Sequence, residues 1–442
     1  MRSFLPHKVR HGAAVGAALA LAVVAGSYLA SLTFGVASLP DVLQPPLLGA
    51  LPGPVFGFLI DHLQHLGKVT EETGLVISIV AVGACTGGLV AAMLRRSRKF
   101  GAQAAEADPL RRRLLQLAPL AVGGTAFAVV AARLLPDWYQ AVRPPEGSAG
   151  AVSAITPSSS FYIVSKNFSD PVVVTNGWRL RIHGLVELEQ SLEYPHLQAL
   201  SQAVELVTLE CVSNPVGGRL MSTGRFDGPR LADLLAMARP RGAARYVAFH
   251  ANDGYTESLA LAEIGSEMLV ALQLNGSPLP DKHGFPARLL VPGRYGMKGP
   301  KWLESIELVD KPTTGYWEGK GWGFDAIVKT TSRIDVPSDG AQVSGQPIRL
   351  AGVAFAGARG VSKVEWSDDS GTTWRPADLD PPISAFSWRF WKAQWRPSRP
   401  GGYTLTVRAT DGSANSQEST ATNSFPTGST GLHSVAVSVL TS

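Results

Sequence analysis

The first third of the chain holds uncharged apolar runs too long for the core of a small soluble domain. Residues 12–35 form an Ala/Val/Leu-rich stretch without a charged side chain, long enough to cross about 30 Å of hydrocarbon as a helix. Residues 73–94 repeat the pattern, and residues 114–135 repeat it again with one charge, Arg133. That arginine lies near the end of its run, where its long stem lets the guanidinium snorkel to the headgroups. A fourth apolar stretch, 45–60, is short and contains Pro45, Pro46, Pro52 and Pro54; it reads as an interfacial or re-entrant piece. Basic residues set the orientation. Arg2, Lys8 and Arg10 precede the first run, seven Arg and Lys residues from Arg95 to Arg113 separate the second from the third, and 36–72 holds only Lys68. Positively charged loops stay in the cytoplasm. Residues 1–140 therefore read as a multi-pass region of the cytoplasmic (inner) membrane, with the remainder of the chain on the extracytoplasmic side.

The segment Arg111–Gly124 (RRRLLQLAPLAVGG) resembles a twin-arginine export signal, which suits a domain loaded with a cofactor before export. Its arginines also fit a simple interfacial anchor. His62 and His65 suggest haem ligands, but no matching pair lies at similar depth; they read as an interfacial helix face. Cys85, inside the second run, reads as packing.

At 442 residues the chain is too long for one ordinary domain. A net charge of +5, scattered along the sequence, excludes a nucleic-acid footprint. Two cysteines give no disulfide framework. A Pro/Gly/Ser-rich tether occupies 141–160. Beyond it, 178–185 alternates apolar and polar side chains as a half-buried strand does. Residues 192–201 and 230–238 read as helices, and 246–250, 268–274 and 288–291 as short strands. From 332 onward, strand-like runs at 383–395, 403–411 and 434–440 are separated by turn clusters at 367–373 and 398–402, the spacing of a β-sandwich.

One stretch is placed to do chemistry. Val207–Gly218 (VTLECVSNPVGG) runs from an apolar strand through Cys211 into a loop closed by two glycines. As thiolate, Cys211 is a nucleophile or a soft-metal ligand. As thiol it is a small buried hydrophobe. Spacing alone leaves both open.

The words around it resemble the sulfite oxidase superfamily. TLECVSNPVGG is similar to that family's cysteine loop. The likeness continues through DGPRLADLL (Asp227–Leu235), RYVAFHANDGY (Arg245–Tyr255), DKHGFPARLLVPGRYGMKGPKWLESIEL (Asp281–Leu308) and GYWEGKGWGF (Gly315–Phe324). The resemblance implies a multi-domain fold. N-terminal transmembrane helices precede an α+β molybdopterin domain over 161–331 and an immunoglobulin-like β-sandwich over 332–442, the latter a common homodimer contact. It implies molybdenum with molybdopterin as cofactor and Cys211 as the metal's protein ligand. Asn167, His250, His283, Arg288, Gly299, Pro300 and Lys301 would hold the pterin and its phosphate, and Trp322 stands where the family has its active-site tyrosine. Sulfite oxidases place arginines near the metal; here those positions read Ile163 and Val216. An apolar pocket walled by Met221, Phe226 and Trp322 would not offset the desolvation of a dianion. The implied function is two-electron oxygen-atom transfer on a sulfoxide, an N-oxide or another small oxo-acceptor. Electrons would pass through a membrane quinone or a cytochrome partner. Two alternatives stand beside it: a sulfite dehydrogenase using Arg225 or Arg294, and a non-catalytic binding or assembly protein that kept the fold.

Overall fold

The computed structural model describes residues 7–34, 36, 38–49, 53–97, 122–135, 153–167, 169–344 and 346–441, with the side chains of 7–11, 45–49, 53–68 and 94–97 left aside. The described residues fall into two compact units. The export-like segment up to residue 121 and the tether up to residue 152 lie outside the described residues.

The first unit is helical. Helices His7–Phe34, Leu39–Gly49, Gly53–Ser97 and Val122–Leu135 follow one another. Two stretches, Gly12–Phe34 and Val69–Met93, are long and apolar enough to cross a membrane. Their crossing is glycine-lined: a Cβ at Gly83 would fall 2.7 Å from the Gly16 carbonyl oxygen. Small residues at such spacing let two apolar helices approach backbone to backbone.

One expectation changes here. Residues 45–49 end the helix Leu39–Gly49, and Gly53 opens a 45-residue helix that continues into the second apolar run, so 53–60 are not a separate short piece. Pro54 lies in the first turn of that helix, where a missing N–H leaves no bond unmade. His62 and His65 fall on this helix, their side chains outside the described residues. The Arg133 guanidinium turns to Glu72 at 3.7 Å and lies 5.7 Å from the ring of Tyr28, whose hydroxyl donates to Glu72 at 2.8 Å. A buried carboxylate is costly without partners, and Tyr28 and Arg133 supply them.

The second unit holds the strands. A five-stranded sheet runs in the order Gln190–Glu193, Arg179–Gly184, Leu303–Val309, Tyr246–Ala251, Thr256–Ala260. Only Arg179–Gly184 and Leu303–Val309 pair in parallel. The predicted alternation at 178–185 is real: Leu180 and Ile182 are fully buried between exposed Arg179 and Arg181. The helix Leu231–Ala238 lays Leu231, Leu234, Leu235 and Ala238 on the same core as these strands. Each fully buried leucine contributes about 1.5–3 kcal/mol. The helix near 192–201 is shorter than expected, Tyr194–Ala199.

A second sheet begins with the hairpin Ala203–Glu210 and Met221–Gly228, paired from Ala203 with Gly228 to Glu210 with Met221. The loop that closes it carries Cys211. Residues 331–439 form two further sheets of four and five strands around one core that includes Trp366, Trp391 and Trp395. This is the expected sandwich. The hairpin and the sandwich are joined by backbone: Thr208 N–H donates to the Phe386 carbonyl at 2.9 Å, and Trp388 N–H donates to the Thr208 hydroxyl at 2.8 Å.

Candidate active site around Cys211

The cysteine loop is held by bonds that leave the thiol out. Cys211 N–H donates to Leu220 O at 2.9 Å, and Asn214 N–H donates to Cys211 O at 3.0 Å. The Asn214 side chain spans the loop, donating to Glu210 Oε1 at 2.8 Å and accepting from Leu220 N–H at 3.0 Å. The thiol lies 3.1 Å from Ser213 Oγ. Burial pushes its pKa up, with the Ser213 hydrogen bond working the other way. A bound cation reverses that order and keeps the sulfur as thiolate.

The sandwich supplies the outer half of the loop's support. Ser429 Oγ donates to Asn214 O at 2.6 Å, and Arg333 Nη1 donates to Gly218 O at 2.6 Å while its Nε bonds Asp335 at 2.7 Å. Gly217 has φ +74, and the His433 ring occupies the place a Cβ would need. Only glycine satisfies both demands. Alongside the loop runs a groove of about 500 Å³, lined by Ser213 and Val216 on one side and Thr422, Asn423, Ser424 and Thr430 on the other. No charged side chain lines it.

The second part of the site is cationic. Arg288 is buried. It reaches only carbonyls, His283 O at 3.3 Å and Gly299 O at 3.5 Å, both long bonds. Its Nε is buried without a partner, and among the described residues no carboxylate pairs with it. A fully buried guanidinium without an anion is expensive, so this arrangement is built to receive one. The Leu289 N–H donates to Pro300 O at 2.9 Å, which brings the turn at Gly299–Pro300 against Arg288. His283 is buried beside Phe161 at 5.4 Å between ring centroids. Its pKa is lowered to about 4 by burial, with Arg288 and Lys301 adding repulsion. Lys301 Nζ donates to Lys282 O at 3.0 Å and lies 4.2 Å from the Trp302 ring centre.

His283 has a consequence for stability. Between pH 6.5 and about 4 the unfolded imidazole binds a proton that the buried one refuses. Stability from this group is complete above pH 6.5 and falls as pH drops toward 4. Denaturant titrations of the cofactor-free protein should show that acid limb shrink in His283→Gln. An unchanged limb would remove His283 as its source.

Tyr162 joins the two parts. It is neutral, its pKa raised by burial and further by Cys211, with Arg288 pulling down. Burial likewise raises the pKa of Tyr255 and Tyr295. A sequence signal for Tyr162 is its place beside Ile163, which stands where the family has an arginine. Arg333, Ser429 and His433 had none, since they come from another domain.

His250 bonds Glu307 at 3.2 Å within the five-stranded sheet, and among the described residues no contact links it to Cys211 or Arg288. Asn167 belongs to the helical unit, where Lys166 donates to its side-chain oxygen at 2.8 Å. Trp322 is buried with Val212, Met221, Tyr295 and Trp388, edge-on to Phe425 at 5.3 Å, its indole N–H without an acceptor. Phe226 does not share this wall with Met221 and Trp322. It packs with Phe161 and Leu209, 5.9 Å from the Arg288 guanidinium, because five positions along one strand from Met221, an odd separation, set the two side chains on opposite faces. Arg225 pairs with Asp227 at 2.7 Å and Arg294 with Glu263 at 3.1 Å, so each is already committed to a carboxylate.

Residues 167–317 match the family described as oxidoreductase molybdopterin binding domain, and residues 325–437 match the Mo-co oxidoreductase dimerisation domain. The chain belongs to the sulfite oxidase superfamily. Among curated relatives, mitochondrial sulfite oxidase of Rattus norvegicus is 29% identical over 331 residues, covering 64% of this chain and 60% of the relative. The NADPH nitrate reductase of Mycosarcoma maydis is 27% identical, covering 54% of this chain and 34% of the relative. The chain thus spans about 60% of the length of the sulfite oxidases it matches. Among solved structures, the sulfane dehydrogenase SoxCD from Paracoccus pantotrophus shares the fold, with a TM-score of 0.59 at 19% identity, covering 65% of this chain and 82% of that one.

A superfamily member carries the molybdenum cofactor. The residues present fit it: a thiol at the end of a braced loop, and a buried arginine with an unpartnered Nε among carbonyls. When bound, the cofactor supplies a metal that exchanges an oxygen atom and two electrons with substrate.

Proposed function

We propose that this chain is a membrane-anchored molybdenum-cofactor oxidoreductase working outside the cytoplasm, transferring oxygen to or from a small neutral oxo-acceptor such as a sulfoxide or N-oxide. Cys211 is the protein ligand of the metal. Arg288, His283, Lys301 and the Gly299–Pro300 turn hold the pterin side. Trp322 stands in the wall of the reaction space. The catalytic domain occupies 161–331 and the sandwich 332–442, with an immunoglobulin-like topology and a homodimer contact. Electrons pass through a membrane quinone or a cytochrome, and the apolar runs 12–35, 73–94 and 114–135 are the spans that bring the enzyme to them.

The observation that supports the substrate class is the apolar character beside Cys211: Val212, Met221, Tyr295 and Trp322 are buried in one cluster, and Ile163 and Val216 stand where the family has arginines. A doubly charged anion entering that space would lose its hydration for hydrogen bonds alone, whereas a neutral S=O or N–O oxygen is a single strong acceptor. The purified holoenzyme with a reduced viologen dye should therefore reduce a sulfoxide or N-oxide with a kcat/KM about 100-fold above its sulfite oxidation with an artificial acceptor. Sulfite turnover at the higher rate would overturn this substrate class. Trp322→Phe is expected to lower the favoured activity by about tenfold, the worth of one hydrogen bond at the reacting oxygen.

A further inference from the structure

Lys298 is fully buried, and its ammonium meets two carboxylates: Glu257 at 2.8 Å and Glu318 in closer contact still. The Ser258 carbonyl at 3.4 Å and the Phe324 ring at 4.1 Å complete its surroundings. One cation facing two buried carboxylates leaves an excess negative charge in a site shielded from water. One retained proton removes that excess. Glu257 is the carboxylate with room for it: it is fully buried, and its Oε2 has no partner. Burial raises its pKa to about 8, Lys298 pulling down and Glu318 pushing up. The other titratable group beside it is the phenol of Tyr255, two residues back. Tyr316 stacks on that ring at 5.7 Å, with the Lys320 ammonium 5.9 Å from the Tyr316 ring centre.

The three residues tie together the walls of the Cys211 site. Tyr255 and Glu257 both grip the turn Gly296–Lys298, Tyr255 by donating to Met297 O at 2.6 Å and Glu257 through Lys298. At the other end of that turn, a Cβ on Gly296 would fall 2.7 Å from the Tyr162 hydroxyl and 3.5 Å from the carbonyl oxygen of Glu210, the residue before Cys211. Glu318 accepts from Gly315 N–H at 2.7 Å and opens the turn that carries Trp322, whose backbone N–H donates to Trp317 O at 3.1 Å.

We propose that Glu257, Lys298 and Glu318 form a proton-dependent latch that positions the 296–298 turn and the Trp322 loop around Cys211. With the proton in place the triad is neutral and both walls are held. When Glu257 releases it to solvent, two carboxylates compete for one ammonium. Glu318, the outermost member, then loosens and the 315–322 loop loosens with it. These are positioning residues; none touches the reacting atoms. The latch rests on reading Cys211 and Trp322 as parts of the active site.

The test pairs a pH profile with hydrogen exchange on the full-length holoenzyme. In the wild type, kcat should fall about tenfold per pH unit above the titration of one group. The amides of Gly319, Gly321 and Trp322 should lose protection over the same range. Glu257→Gln keeps the shape and cannot ionise, so it should abolish the alkaline limb and restore loop protection at pH 9 to its pH 6.5 pattern. If that variant does not fold, Glu318→Gln removes the competing charge and should move both midpoints by at least one pH unit. A limb and an exchange pattern unchanged by whichever of these variants folds would overturn the latch. Loop exchange that follows Glu257 in a protein holding no molybdenum would keep the latch while removing the enzyme reading.

Discussion

Cys211→Ala is expected to fold and to lose its molybdenum. The loop does not depend on the sulfur for its shape: the Cys211 N–H, the Asn214 side chain, Arg333 and Ser429 hold it through other atoms. Removing one sulfur from a partly buried position should cost little stability. Its loss at the metal is another matter. Groups that merely orient a ligand cost about 10–100-fold when removed, and a direct ligand should cost more. Activity is therefore expected to fall by more than about 100-fold. Metal analysis per chain and the thiolate-to-metal absorption band of wild type and variant decide the point. Near-stoichiometric metal and an unmoved band in the variant would remove Cys211 from the metal. A folded wild type without molybdenum would favour the non-catalytic binding protein instead.

Arg288→Met should have two effects of opposite sign. In the cofactor-free protein, Arg288 is a buried charge with long bonds to two carbonyls and an unpartnered Nε. Replacing such a charge with an apolar side chain of similar length is often stabilising. The melting temperature of the empty variant is thus expected to match or exceed that of the empty wild type. The cofactor-loaded protein should suffer. A hydrogen bond from a charged donor is worth about 1.5–3 kcal/mol, so retention of an anionic pterin phosphate should drop by about 10–150-fold. Pterin and metal content after gel filtration measure the second effect, and thermal melts of the empty forms measure the first. A variant that keeps its cofactor as tightly as wild type would free Arg288 of that role. A variant that is less stable when empty would mean that the two carbonyls already compensate the charge.

The two predictions draw on different kinds of knowledge. Features carried within a short stretch of chain were readable in advance. The apolar runs at 12–35 and 73–94 needed only length and lack of charge. The strand over 179–184 needed only alternation. The cysteine loop and the segment from Asp281 to Leu308 needed only ordered local words. These signals survive folding because backbone geometry repeats every few residues, and a glycine or a proline acts where it stands.

Residues whose partners come from afar were not readable. His250 sat in a cofactor-like word, yet it faces Glu307, 57 positions away, across a sheet. Phe226 and Met221 share one strand but pack into separate clusters. Arg133 stands near the end of an apolar run, and only packing sets it beside the buried carboxylate of Glu72. Arg333 and Ser429 reach the cysteine loop from 115 and 215 residues downstream. Glu257, Lys298 and Glu318 are ordinary surface residues by composition, and only their joint burial makes their charges count. Which groups lose their water, and which partner replaces it, is set by packing between segments far apart in the chain. Chain order alone carries the elements and the thiol; tertiary packing supplies the brace on the loop, the unpaired arginine and the shared proton.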